Sequence, residues 1–353
     1  MDSLSPDLLF ERRGAAGIIT LNRPKALNAV THDMVRALAH QLGAWASDAA
    51  VTRVIITAAG ERAFSAGGDI RALYELGRAG RQAEMLTFWR DEYPLNAMIK
   101  RYRKPYVALI DGIVMGGGVG VSVHGSHRVA GDRFSFAMPE VGIGFFPDVG
   151  ATWFLPRMPG ELGTWVGLTG DRLKTADAVA AGIATHYVRS ERFPDLLDAL
   201  CGNVSVDATL AAFAEPSGKG PVTARRAAID RLFASDRVEH ILADLDAEEV
   251  HDADGEWAAA TAATISTKSP LSLKIALAQV RRGRDWSFGD CMVHEFRIVS
   301  RIVYEHDFYE GVRAAIVDKH NAPGWKPATL GDVTDADVER HFAPLGADEL
   351  VLP

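Results

Sequence analysis

Tyr106–Gly125 reads YVALIDGIVMGGGVGVSVHG, and its two halves decide how the chain folds. Pro105 stops whatever helix precedes it, and Tyr106–Ile110 then run apolar without a break, the pattern of a strand buried on both faces of a parallel sheet. The glycines that follow mark a loop. Working outward, a helix is expected from about Ala83 to Arg101, and strands at Gly17–Leu21 (GIITL) and Arg53–Ala58 (RVIITA). Between those strands the NRPKALNAV loop leads into an amphipathic helix with Met34, Val35, Leu38, Leu42 and Trp45 on its apolar face. After them, GERAFSAGGDIRALYE is a second glycine loop opening a helix. Downstream, short strands are expected at His127–Ala130 and Arg133–Phe136, after which the chain reads as mostly helical, with a surface linker at Glu215–Pro221 (EPSGKGP). Strands in the first half and helices in the second argue for an α/β core (residues 1–215) with a helical C-terminal region (residues 216–353), not a regularly alternating barrel.

Composition excludes several classes of function. A chain of 353 residues that is 48% hydrophobic can bury a large core, as one large domain with an appended region or as two domains. The net charge of −8 disfavours a nucleic-acid partner, and the one dense basic cluster, Arg101–Lys104 (RYRK), reads as a solvated helix end. Cys201 and Cys291 are the only cysteines and lie far apart, so no disulfide framework and no CxxC spacing exists. No apolar run approaches the roughly 18 residues of a membrane span, and the N-terminus lacks a signal-peptide pattern. These features lead us to expect a soluble, cytoplasmic protein.

The glycine loops invite nucleotide-binding readings that their spacing does not support. GGGVGVSV lacks the third glycine of GxGxxG in every register, and no GxxxxGK[ST] occurs. Ser122 in GVSVH lacks the closing glycine of the GxSxG elbow. His124 and His127 have no HExxH frame, the His294–Glu295 pair lacks a second histidine, and these histidines read as polar helix-surface residues. What remains is AGGD and GGG, each where a strand hands over to a helix. Such a junction turns unpaired backbone N–H groups outward, and glycine lets a substrate oxygen come close to them. Two acids then interrupt the apolar stretch FAMPEVGIGFFPDVGATWFLP (Phe136–Pro156): Glu140 and Asp148, each directly after a proline.

AFSAGGDIRALYE, KPYVALIDGIVMGGGVG, FAMPEVGIGFFPDVGATWFLPRMPG and GLTGDRLKTADAVAAGIATHYV together resemble the enoyl-CoA hydratase/isomerase (crotonase) superfamily, over about Gly17 to Trp325. The resemblance implies a spiral of ββα turns forming two sheets, followed by helices that cover the site and build subunit contacts. It also implies that the N–H groups of Gly68 and Gly117 polarise a thioester carbonyl as an oxyanion hole. Lys25, Ala26, Leu27 and Ala66 match positions that hold coenzyme A, and Glu92 matches an acid near the substrate hydroxyl. Enoyl-CoA hydratases resemble one another in a GGGxE glutamate paired with a second glutamate; here the first position is Gly120 and only the second survives, as Glu140. With Asp148 added, the pattern looks like the superfamily's hydrolase branch. The implied activity is a short-chain hydroxyacyl-CoA thioesterase of valine breakdown, with Glu140 acting at the carbonyl as nucleophile or general base and Asp148 positioning water or the hydroxyl. No cofactor is expected beyond coenzyme A as part of the substrate, and trimers or paired trimers are the implied assemblies. A hydratase or isomerase acting on another short acyl-CoA is the alternative, and a silent acyl-CoA-binding protein is a third reading.

Overall fold

The computed structural model describes residues 6–248 and 253–352. They form two compact units, each assembled from separate stretches of chain.

The first unit takes the chain up to Asp69, Pro94–Ala137 and Arg172–Thr223. It contains two sheets built from β1 (Leu8–Arg13), β2 (Ala16–Leu21), β3 (Arg53–Ala58), β4 (Ala63–Ser65), β5 (Tyr106–Ile110), β6 (Ile113–Met115), β7 (His127–Ala130), β8 (Ser135–Ala137), β9 (Leu173–Lys174) and β10 (His186–Tyr187). Their order is β1-β2-β3-β5-β7-β10 in the larger sheet and β4-β6-β8-β9 in the smaller. Each of β3, β5 and β7 is followed within a few residues by a strand of the smaller sheet, so the chain winds as a ββα spiral. All neighbours in the larger sheet are parallel except β1 and β2. The apolar run at Tyr106–Ile110 is therefore a central strand, with Ile55 opposite Val107 on one side and Leu109 opposite Val129 on the other. One face of this sheet packs Ile18, Ile55, Val107 and Val129 against Leu196, Leu200 and Leu210 of the helices Phe193–Leu200 and Val206–Phe213.

Arg101–Lys104 has a structural task that composition did not show. Lys104 donates to the carbonyl of Asp48 at 2.7 Å and to that of Trp45, at the C-terminus of the helix His32–Ser47. A cation there pairs with the carbonyls that the helix leaves unbonded.

The second unit takes Ile70–Tyr93, Met138–Asp171 and the chain from Ala224 onward. Its described regular elements are helical. Leu162–Thr169 is buried along its whole length, Pro270–Arg282 buries most of its own, and Phe288–Ile302 buries one face. Tight packing fixes the turn that carries Glu140: a Cβ on Gly311 of the helix His306–Val312 would stand 2.3 Å from the carbonyl carbon of Ile143.

Candidate active site

In the first unit the two glycine loops lie against each other. A Cβ on Gly67 would stand 3.5 Å from the Met115 carbonyl and 3.8 Å from the Gly117 nitrogen, and Gly67 itself has φ 113°, which disfavours any side chain. A Cβ on Gly118 would meet the Ser65 side chain at 2.6 Å and the Ser65 carbonyl at 2.7 Å. Glycine is what lets the loops close this far.

The amides are already sorted. The N–H of Gly67 is taken by Ser65 Oγ at 3.3 Å. Val30 donates to the Gly67 carbonyl at 2.8 Å and accepts from Asp69 at 2.9 Å, a parallel bridge that leaves the N–H of Gly68 turned away. Gly117 is the first residue of the short helix Gly117–Gly120, so its N–H has no intrahelical partner. Among the described residues neither the Gly68 nor the Gly117 N–H is spent on another group. Ser122 serves the same region structurally, its hydroxyl donating to the Gly118 carbonyl at 2.7 Å.

Lys25 and Ala26 stand exposed on the 3-10 turn Pro24–Ala26, and Leu27 accepts a bond from Ala66 at 2.9 Å. This joins the four residues matched to coenzyme A in one local structure. The loop is strained: Leu27 and Asn28 have φ 51° and 55°. Asn28, which the sequence reading passed over, holds it. Its buried amide accepts from Arg23 N–H at 2.8 Å and donates to the carbonyls of Ala59 and Ala63, each at 2.9 Å. Arg23 in turn donates to the Ala29 carbonyl at 2.7 Å and pairs with Asp69 of AGGD at 3.2 Å.

In the second unit the acids are buried together. Glu92 is 1%, Glu140 6%, Asp148 5% and Glu295 0% exposed, and none forms an ion pair among the described residues. Glu140 opens the 3-10 turn Glu140–Ile143, and its Oε2 is buried without a hydrogen-bond partner, as is Glu92 Oε1. Asp148 accepts from the Tyr93 hydroxyl at 3.1 Å. Burial pushes Asp148 up to about 7, opposed by hydrogen bonds from Tyr93 and Trp89. Burial is also the main reason that Glu92 and Glu140 lie well above the usual carboxylate range, with the Asp148 charge next. Glu295 rises to about 8 for the same two reasons. The Asp148 charge opposes ionisation of the other three.

The helix Gln82–Lys100 presents Trp89, Glu92 and Tyr93 together, three and four positions apart on one face. Trp89 stacks on Phe145 at 5.7 Å, and Phe145 touches Phe146 and Phe308 at 4.7 and 5.8 Å. These rings supply the low-dielectric surroundings that the acids feel. Glu92 is therefore a buried acid and not a solvated helix carboxylate.

Two sequence readings need correction. His124 is 5% exposed and not a surface histidine. His127 is not on a helix surface either: it opens β7, the strand expected at His127–Ala130, and is bonded to Ser126 Oγ at 2.8 Å and to Asp207 at 2.9 Å.

The family model for enoyl-CoA hydratase/isomerase matches residues 16–342. The chain belongs to that family. Among its relatives, the mitochondrial 3-hydroxyisobutyryl-CoA hydrolase of Danio rerio is 46% identical, covering 98% of this chain and 92% of its own. That of Homo sapiens is 42% identical, covering 98% and 90%. Two solved structures share the fold over nearly full length. One, a carnitinyl-CoA dehydratase from Mycobacterium thermoresistibile, has a TM-score of 0.92 at 46% identity over 98% of this chain and 99% of that one. The other, an enoyl-CoA hydratase from Rhodobacter sphaeroides, has a TM-score of 0.91 at 39% identity over 98% and 100%. The ββα winding expected from the sequence is the fold observed. No helix among the described residues is long and apolar enough to cross a membrane.

Proposed function

We propose that this family member is a 3-hydroxyisobutyryl-CoA hydrolase, a thioesterase of valine breakdown. The observation that carries the reading is the distribution of acids. Gly120, where the hydratase pattern has its first glutamate, is a buried glycine, while Glu140 and Asp148 are buried acids of one aromatic environment. The full-length similarity to hydrolases so named supports the same reading. In the proposed reaction the N–H groups of Gly68 and Gly117 receive the thioester oxygen as it gains negative charge. Glu140 acts at the carbonyl carbon, Asp148 and Glu92 address the substrate hydroxyl or the water, and Lys25, Ala26, Leu27 and Ala66 hold coenzyme A.

Two routes share these roles. In one, the Glu140 carboxylate displaces the coenzyme A thiolate to form a mixed anhydride, which water then cleaves. In the other, Glu140 takes a proton from water as the water adds to the carbonyl, and the thiolate leaves from the tetrahedral species. A single turnover in oxygen-18 water separates them, because only the anhydride route leaves label in the Glu140 side chain. Either route needs ionised Glu140, so the rate rises with pH through its elevated pKa.

The reading itself is tested by product analysis: 3-hydroxyisobutyryl-CoA should yield 3-hydroxyisobutyrate and free coenzyme A in equal amounts, undiminished by a chelator, since no metal or redox cofactor is assigned. The names of the two solved neighbours favour a second reading, a hydratase or dehydratase, which predicts addition or loss of water with the thioester intact. The proposal retains a cytoplasmic location and a trimer or paired trimer. Fractionation tests the first against the mitochondrial location in the relatives' names, and mass measurement in solution tests the second.

A further inference from the structure

Asp148 sits in a turn that its own sequence does not favour. Val149 has φ 53° and Gly150 φ 90°, and a β-branched residue in the left-handed region persists only where the surroundings hold it. Two long-range contacts do so within the second unit. Gln279, from the helix Pro270–Arg282, donates to the carbonyl of Pro147 at 2.5 Å and fixes the residue before Asp148. Glu295, from the helix Phe288–Ile302, accepts from the N–H of Gly150 at 2.8 Å with one oxygen and from the N–H of Thr152 at 2.9 Å with the other. It therefore holds residues two and four after Asp148. Only a carboxyl group can meet two backbone donors in this way, because a glutamine would turn its own NH2 toward one of them. An acid is present here despite full burial and the nearby Asp148.

We propose that Glu295 is a positioning residue for Asp148, holding the strained Val149–Gly150 turn so that Asp148 meets the substrate in one orientation. This rests on the role proposed above for Asp148. Nothing in the sequence around Glu295 announces it, since the groups that it holds lie 143 and 145 residues away.

The test is thiol release from 3-hydroxyisobutyryl-CoA by the full-length wild type, Glu295→Gln, Asp148→Asn and the double variant. Glu295→Gln should lower kcat by about 10- to 100-fold, the scale of a small misplacement of a reacting group, with KM changed less than about threefold. In the Asp148→Asn background it should add little, because both changes remove the same contribution. A kcat at the wild-type level, or losses that multiply in the double variant, would overturn the proposal; a purely structural role predicts the latter together with a lower Tm. Should Glu295→Gln fail to fold, amide hydrogen exchange of wild-type Val149–Phe154 decides: slow exchange is expected, and exchange at the rate of an open loop would overturn it. A wild type that releases no thiol would sink the hydrolase reading instead, a result distinct from an active wild type with an equally active Glu295→Gln.

Discussion

Two strained loops, one in each unit, are held by opposite means. In the first unit Leu27 and Asn28 occupy the left-handed region, and a neutral side chain, Asn28, holds them with three hydrogen bonds. In the second, Val149 and Gly150 do so, and an acid, Glu295, holds them through two backbone amides. The neutral clamp is indifferent to pH and has its amide satisfied at both ends. The acidic clamp belongs to a group of four buried carboxyls, each raised by burial, in which the Asp148 charge opposes ionisation of the other three. The difference matches the roles proposed: a loop that holds coenzyme A needs shape, whereas a loop that presents an acid to the substrate hydroxyl or the water needs shape and charge together.

The largest effect should come from Glu140→Gln, which deletes the acid chemistry and leaves both clamps in place. We expect kcat to fall by about 10³-fold, within the range of a lost general base, with coenzyme A affinity unchanged by calorimetry. Strong residual turnover would remove Glu140 from its role. Next, Asn28→Ala orphans a backbone N–H and two carbonyls; at about 1–3 kcal/mol for a buried unsatisfied group it should lower Tm and raise KM about tenfold with kcat little changed. A fall in kcat alone would break the division of labour between the loops.

Tyr93→Phe sharpens the electrostatic half. The Tyr93 hydroxyl opposes the burial that raises Asp148 to about 7, so its removal moves that pKa further up. Asp148 then stays protonated to higher pH, so the limb that Asp148 itself contributes to the pH–rate profile should shift upward, with a loss of about tenfold below pH 7 that shrinks as pH rises. A parallel loss at every pH would indicate packing alone. The smallest effect is expected from Lys25→Ala. An exposed cation contributes about 0.2–1 kcal/mol, so KM should rise by no more than about fivefold, and less at high salt.

The main strands and several residues of the candidate site were legible in the sequence, the winding came with the family resemblance, and the boundary between legible and hidden has a physical cause. Arg53–Ala58 and His127–Ala130 are found where β-branched and apolar residues place them, and Tyr106–Ile110 is the buried parallel strand that its apolar run implies. β4, β6, β9 and β10 have two or three residues each, too few for any period, and exist because neighbouring strands complete their bonds. Leu8–Arg13 was not anticipated either; LLFERR alternates weakly, and its register is set by pairing with β2. The same distinction governs the site. The AGGD and GGG loops, Glu140 and Asp148 stand out because glycine at a strand–helix junction and acid in an apolar run are local anomalies, while the choice of Gly68 and Gly117 within those loops came from the family resemblance. Asn28, Tyr93 and Glu295 are ordinary residues in ordinary surroundings until the fold brings up what they hold.

The most direct test of the account is to follow free-thiol release from (S)-3-hydroxyisobutyryl-CoA and hydration of crotonyl-CoA on one preparation, for the wild type and Glu140→Gln. The account predicts thiol release by the wild type, negligible hydration, and loss of thiol release in the variant. Hydration by the wild type without thiol release would contradict it, since some other group would then replace the glutamate missing at Gly120.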